Sequence, residues 1–302
     1  MTRRVLEGSV IYHFTPDAAP VWRVDPGEPL TVRCPDGMRG RIRTEEDHYV
    51  RVDPDRVNDA VGPIHVNDAQ PGDALAVRLE EVRVPADQGY VLLIPGFGLL
   101  RDRVAAPKTK ICRIDERGVH FGDLVLPLRP CIGTIGVAPA AGRVSTLYPG
   151  DHGGNMDTTE VTTGATLYLP VSAPGGLLAL GDGKAVMGDG EVCGTGVGVP
   201  LEVDLTCDVV RRAGLRRPVL ETPTHWQTIG SAPDLEGAVR LATEDMVELL
   251  MRSQGLSFED AYMLCSLVGD LRISQVVDPW MTVRMCVPRE HVRGALVVAR
   301  AS

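Results

Sequence analysis

Thirty-three glycines and 23 prolines are spread through 302 residues, and few stretches between them are long enough for a helix. Residues that favour turns at this density make corners, and the short apolar runs between corners, rich in Val and with only four Phe, suit strands. The pattern predicts a mainly β protein and argues against an all-helical bundle. Hydrophobic side chains at 44% and charged ones at 24% give enough apolar material for a buried core, unlike a disordered chain.

Period-two alternation locates the strands. Leu30-Thr-Val-Arg-Cys34 alternates, and Leu75, Val77 and Leu79 followed by Val82 and Val84 alternate again behind a Pro71-Gly72-Asp73 turn. The change of phase at Glu80-Glu81 predicts a bulge. Between Val161 and Val199, runs such as Leu167-Tyr-Leu-Pro-Val171 and Gly176-Leu-Leu-Ala-Leu180 are bounded by glycines, as expected for buried strands of a sandwich or barrel. Helical signals come late. Thr243 is a candidate cap ahead of Met246, Leu249 and Leu250, with Gly255 as the stop. Ser257 and Asp260 form a capping-box-like pair before Ala261, Leu264, Cys265 and Val268, and Gly269 ends that stripe. Alternation returns after Pro279 as a closing strand in which Trp280, Thr282 and Arg284 oppose Met281, Val283, Met285 and Val287. No low-complexity linker divides the chain, so residues 1–302 read as one unit of two interleaved β lobes with a helical segment near 243–269.

Composition also narrows the partners. A formal charge of -9 disfavours nucleic acid and anionic membrane surfaces, leaving a small neutral or cationic ligand as the easier fit. The two arginines at the N-terminus precede no apolar segment, and the most apolar stretch, Tyr90 to Leu100, is broken by Pro95, Gly96 and Gly98, so a cytoplasmic protein is expected. Seven scattered cysteines, none in a Cys-x-x-Cys pair, suggest buried thiols rather than disulfides or a thiolate zinc site; the three tryptophans likewise read as buried indoles.

One region concentrates chemistry: Asp151-His-Gly-Gly-Asn-Met-Asp157, then Gly181-Asp-Gly-Lys184, then Gly188-Asp-Gly-Glu-Val-Cys-Gly194. Carboxylates and an imidazole on glycine-rich backbone suit a divalent cation, because glycine lets the backbone turn several ligands toward one point. The plainer interpretation is that Asp182-Gly183 and Asp189-Gly190 are hairpin turns. Three such segments within about forty residues, each at the edge of an apolar strand, strain that interpretation, because carboxylates there need partners.

These strings, together with Thr163-Gly-Ala-Thr-Leu-Tyr-Leu-Pro-Val171, resemble the acetamidase/formamidase family. Val61-Gly-Pro-Ile-His-Val-Asn-Asp-Ala-Gln-Pro-Gly-Asp-Ala-Leu-Ala-Val77 resembles its N-terminal signature, and Ala261 through Gln275-Val-Val-Asp-Pro279 its C-terminal one. The likeness runs roughly from Thr31 to Pro288. It implies a jelly-roll-like β-sandwich with a second, smaller β lobe and a few helices late in the chain. It also implies a hydrolase of small linear amides, often with a divalent metal in the structure. One departure stands out: where the resemblance implies His or an aromatic residue after Gly-Asp-Gly, this chain has Lys184, which would repel a nearby metal when protonated. Either the metal shell excludes this position or Lys184 acts differently here.

His152 then reads as a metal ligand or general base, or else as a histidine held in a turn. Asp157, Asp182 and Asp189 are candidate ligands, at least one of them only a turn-former. Glu191, leading into Val192-Cys193, is the candidate general base for metal-bound water, with a salt bridge to Lys184 as the alternative. Asn155 is the candidate donor to the tetrahedral oxyanion. Cys193 as a thiol nucleophile has no histidine near it in sequence. His65, with Asn67 and Asp68, completes the metal shell or is simply packed. The reading is an amidohydrolase for formamide- or acetamide-like substrates, assisted by zinc or calcium, working as a homo-oligomer, a dimer or higher. The alternative is a non-catalytic β-sandwich scaffold or small-ligand-binding module with a structural calcium.

Overall fold

The computed structural model describes residues 2–49 and 56–298. Two large sheets carry the architecture. The nine-stranded sheet runs in the order Arg4–Leu6, Leu30–Cys34, Leu201–Val210, Ala74–Arg83, Thr166–Pro170, Val219–Glu221, His225–Ala232, Met281–Pro288, Asp270–Gln275. The seven-stranded sheet runs Pro149–Gly150, Gly153–Asn155, Cys131–Gly136, Leu178–Lys184, Ala60–Val66, Val10–Ile11, with Trp22–Val24 added against Ala60–Val66. A four-stranded antiparallel sheet spans Gln88–Leu93 to Leu124–Leu126.

The mainly β expectation holds. The main core lies where Leu75, Val77, Leu167, Leu169, Val203 and Leu205 of the first sheet meet Ile132, Ile135, Leu178 and Leu180 of the second. The other half of the nine-stranded sheet packs its apolar residues, Trp226 and Val287 among them, under the helices α1 (Leu235–Gln254) and α2 (Phe258–Val268) through Met246, Leu249 and Leu250. The expected bulge is present: opposite Leu201–Val210 the register passes from Glu81 to Leu79, skipping Glu80.

Three local expectations change. Thr243 does not cap α1; the helix starts eight residues earlier, where the Asp234 carboxylate accepts the Gly237 N–H at 2.7 Å. Thr243 lies mid-helix, its hydroxyl donating to the Val239 carbonyl. The closing strand Met281–Pro288 is not amphipathic, because Thr282 through Val287 are all buried, helices covering one side and loops the other. Arg284 is fully buried there against Glu160 and Asp189. Asp182-Gly183 is no hairpin turn but lies inside Leu178–Lys184. The Ser257 cap of α2 and the left-handed Gly255 after α1 are where the sequence put them. Six of the seven cysteines are buried, whereas of the tryptophans only Trp226 is.

Candidate active site

Where the glycine-rich segments converge, the backbone is strained. Eight non-glycine residues among those described have positive φ, and three of them are Asp157 (41°), Asp182 (54°) and Glu191 (44°). Left-handed conformations of this kind cost of order 1–3 kcal/mol each and persist where surrounding structure holds them, most often at functional sites. The carboxylates come from three segments. Asp182 and Lys184 share one face of Leu178–Lys184 through period two. Asp157 follows the Gly153–Asn155 strand and is tied by its N–H to the Gly133 carbonyl. Glu191 sits in a turn whose neighbour Gly190 exchanges main-chain hydrogen bonds with Ser274 and Val276.

Lys184 stands between them. Its Nζ lies 3.1 Å from Asp182 Oδ2, 3.2 Å from Glu191 Oε1 and 3.6 Å from Asp157 Oδ1. None of the four residues is more than 6% exposed. The ammonium contacts are close ion pairs outside hydrogen-bond angles, and Asp182 Oδ2 and both oxygens of Asp157 have no hydrogen-bond donor among the described residues. Close approach here depends on glycine. A Cβ on Gly133 would lie 2.5 Å from Asp157 Oδ1 and 2.6 Å from Asp182 Oδ2.

A cavity of about 310 Å³ opens onto this cluster. Its polar lining includes Asn58, Asn155, Tyr90 and Asp278 as well as the four clustered residues. Asn155 Oδ1 accepts from Asn58 Nδ2 at 2.9 Å and Thr134 Oγ1 at 2.6 Å, while its Nδ2 donates to Asp278 Oδ2 at 2.8 Å. One hydrogen of that amide remains for a ligand. Glu191 Oε1 also accepts the Gly196 N–H at 2.8 Å.

The electrostatics follow from crowding. Burial raises Asp157 well above the carboxylate range, with Glu191 and Asp182 adding repulsion that Lys184 only partly offsets. Asp278 moves the same way, through burial and then through Asp157 and Glu191. It keeps some exposure as a residue, but its carboxyl faces the crowded interior. For Lys184 burial opposes the charge, yet Asp182, Glu191 and Asp157 together outweigh it and hold the amine well above its ordinary range. The site thus pairs a firmly charged ammonium with carboxyl groups that hold protons, a set able both to take and to give a proton.

Of the residues expected from sequence, Asp157, Asp182, Glu191 and Asn155 come together. His152 and Asp189 do not. His152 is buried with its ring against Phe14, is absent from the cavity wall, and is held neutral by burial, its pKa lowered to about 4. Asp189 forms an ion pair with Arg284 at 2.6 Å and accepts from Thr159 Oγ1, which makes it a structural anchor. His65 lies on Ala60–Val66 with its ring against Gly175 and is packed rather than part of the cluster. Cys193 faces a neighbouring surface recess, its Sγ against the Thr195 carbonyl. Sequence reading missed Asn58 and Asp278. Asp278 lay within the C-terminal signature, where Gln275 Oε1 accepts the N–H groups of Val277 and Asp278 and sets its loop.

The residues do not fit a divalent metal at the cluster. Ligand oxygens would surround the ion at about 2.0–2.6 Å, and the space between Asp157, Asp182 and Glu191 is taken by the Lys184 ammonium. Among the described residues no three His, Cys, Asp or Glu side chains, as they stand with Lys184 between them, are arranged to hold a metal ion.

A strained, buried set of acids and one amine at the floor of a small cavity, mounted on a β framework, defines a small-molecule enzyme. The chain belongs to the acetamidase/formamidase family, whose model matches residues 4–145 and 140–292, and it is an amide hydrolase. Among solved structures it is similar to a predicted acetamidase/formamidase of Thermoanaerobacter tengcongensis, at 40% identity and a TM-score of 0.91, covering 93% of this chain and 94% of that one. An acetamidase of Bacillus halodurans is 37% identical with a TM-score of 0.90, covering 96% and 98%. A formamidase of Methylophilus methylotrophus is 26% identical over 286 residues, 72% of this chain and 70% of that protein. Family membership sets aside the non-catalytic scaffold.

Proposed function

We propose that the chain hydrolyses small, neutral, linear amides of the formamide and acetamide kind to ammonia and a carboxylic acid. The observation that carries this reading is the convergence of Glu191, Asp157, Asp182 and Lys184 at one wall of the cavity, with Asn155 beside them. Glu191 takes a proton from the attacking water, so that its oxygen can add to the amide carbon. The free Asn155 N–H and the Lys184 ammonium face the charge that gathers on the carbonyl oxygen. Asp157, kept protonated by burial and its neighbours, gives its proton to the departing nitrogen, and ammonia leaves as the carbon–nitrogen bond breaks. Metal assistance by zinc or calcium, the expectation from sequence, has no place in these steps.

A neutral substrate suits a cavity whose one ammonium is already paired with carboxylates and a chain of net charge -9. No helix among the described residues is long and apolar enough to cross a membrane. A cytoplasmic homo-oligomer belongs to the same reading. The exposed Phe258, Tyr262, Met263 and Leu267 of α2 support self-association, which light scattering on the purified protein checks. Ammonia release from formamide and acetamide, measured beside a Glu191→Gln variant, tests the activity. Failure to release ammonia from either amide would overturn it.

A further inference from the structure

The acid cluster carries a positive charge attached to the chain. Lys184 reaches three acidic side chains supplied by three separate segments, and its backbone is fixed on both sides, paired with Cys131 in one neighbouring strand and bridged to Gly198 on the other. The side chain is almost fully buried, which holds the ammonium within the acid cluster at the cavity wall. An ammonium and a divalent ion cannot share the same carboxylate oxygens in a buried site, because like charges repel strongly where water is excluded. Asp182 Oδ2, and the Asp157 carboxyl once it has given up its proton, would otherwise be the kind of oxygens a cation seeks.

We propose that Lys184 is the resident cation of this site: it stands where a divalent metal would bind, it positions Asp182 and Glu191 through the two shortest ion pairs, and it makes the enzyme independent of added metal. The corollary is a latent metal site. Replacing Lys184 by a residue without obligatory charge frees Asp157, Asp182 and Glu191 to bind a divalent ion. The activity arm of the test rests on the amide-hydrolase reading; the binding arm does not.

The test uses the full chain. Wild type, Lys184→Ala, Lys184→His and Lys184→Arg are purified, checked by circular dichroism, assayed for bound metal by elemental analysis and titrated calorimetrically with zinc alone. Wild type and Lys184→Arg are expected to hold no stoichiometric metal and to give no zinc-binding isotherm. Lys184→Ala and Lys184→His are expected to bind one zinc per chain about 100-fold or more tighter than wild type, with His the tighter because its imidazole adds a ligand. Wild-type turnover of acetamide is expected to survive exhaustive chelation. Stoichiometric metal in wild type, or loss of its turnover on chelation with recovery on adding one divalent ion, would overturn the proposal, and neither measurement needs a variant to fold. So would zinc binding no tighter in folded Lys184→Ala and Lys184→His than in wild type. If wild type released no ammonia from any amide while zinc bound only to the Ala and His variants, the functional reading would fall and the assignment of Lys184 would stand.

Discussion

Glu191 is held from two sides, by the Gly196 N–H and by the Lys184 ammonium, in a backbone conformation that glutamate rarely adopts. Replacing it by Gln keeps size and shape while removing the proton acceptor, so turnover is expected to fall by about 10²–10⁴-fold with the fold intact, the usual contribution of a general base. Cys193→Ala is expected to keep most of the activity, since its sulfur does not line the cavity. Ammonia assays on both variants check this, and near-normal turnover of Glu191→Gln would return that residue to a structural role. His152 has a different consequence. Burial lowers its pKa from 6.5 to about 4, so between those values the unfolded chain binds a proton that the folded chain refuses. Stability is therefore lost as pH falls through that window, by up to an amount on the order of 3 kcal/mol, and His152 adds no pH dependence above it. Asp59 acts in the opposite sense, because burial raises its carboxyl to about 6 and the folded chain takes up its proton first. Its effect is common to wild type and a His152→Asn variant. Urea unfolding of both near pH 7 and near pH 5 should show a smaller loss of stability on acidification in the variant; equal losses would contradict the assignment. Asp157, Asp182, Glu191 and Asn155 were legible because short glycine-rich strings carry them. Asp278 was not, because its hydrogen bond to Asn155 joins residues 123 positions apart.

At the scale of elements, the two helices show why one start was readable and the other was not. Ser257 and Asp260 lie just ahead of an apolar stripe, and the Ser257 hydroxyl accepts the Asp260 N–H at 3.1 Å as the pattern implies. For α1 the polar pair Thr243-Glu244 looked like a beginning, but the first two turns before it are pinned by packing. Ala238 and Ala242 are fully buried, and Gly230 in the sheet leaves room for the helix backbone. Tertiary contact thus extends the helix back across Gly237 to Asp234. Asp234→Ala is accordingly expected to cost about 1 kcal/mol of unfolding free energy through the lost cap, whereas Thr243→Ala should be neutral or slightly stabilising, because alanine is the better interior helix former. Denaturant titration of the two variants decides between the two starts: a larger loss for Thr243→Ala would restore the start read from sequence.

Across the whole molecule, the cavity is formed by segments that sequence separates widely. Met38, Tyr49, Val57, Asn58 and the 90–97 segment contribute one part of its lining, and the 155–157, 182–196 and 278–279 segments another. Composition foretold strands and corners, but not that the nine-stranded sheet would span both the sandwich core and the helical layer, because strand order depends on pairings such as Ala74–Arg83 with Leu201–Val210 that no local pattern encodes. This assembly sets the shape of the space left for substrate. Alongside the polar cluster the lining contains Met38, Val57, Ile94, Phe97 and Leu147, so the same cavity offers an apolar surface for the acyl part of an amide. Burying a methylene is worth about 0.8 kcal/mol, or roughly a fourfold gain in kcat/KM for each added carbon that reaches this surface. Along the series formamide, acetamide, propionamide, butyramide, kcat/KM should climb by about that factor per step until the cavity of about 310 Å³ is filled, and then fall. Substituting Phe97→Ala should flatten the rise without abolishing turnover of formamide, because the ring is part of the apolar lining and makes no ion pair in the acid cluster. A kcat/KM that declines from formamide onward in wild type would mean that the apolar residues serve the fold and not the acyl chain.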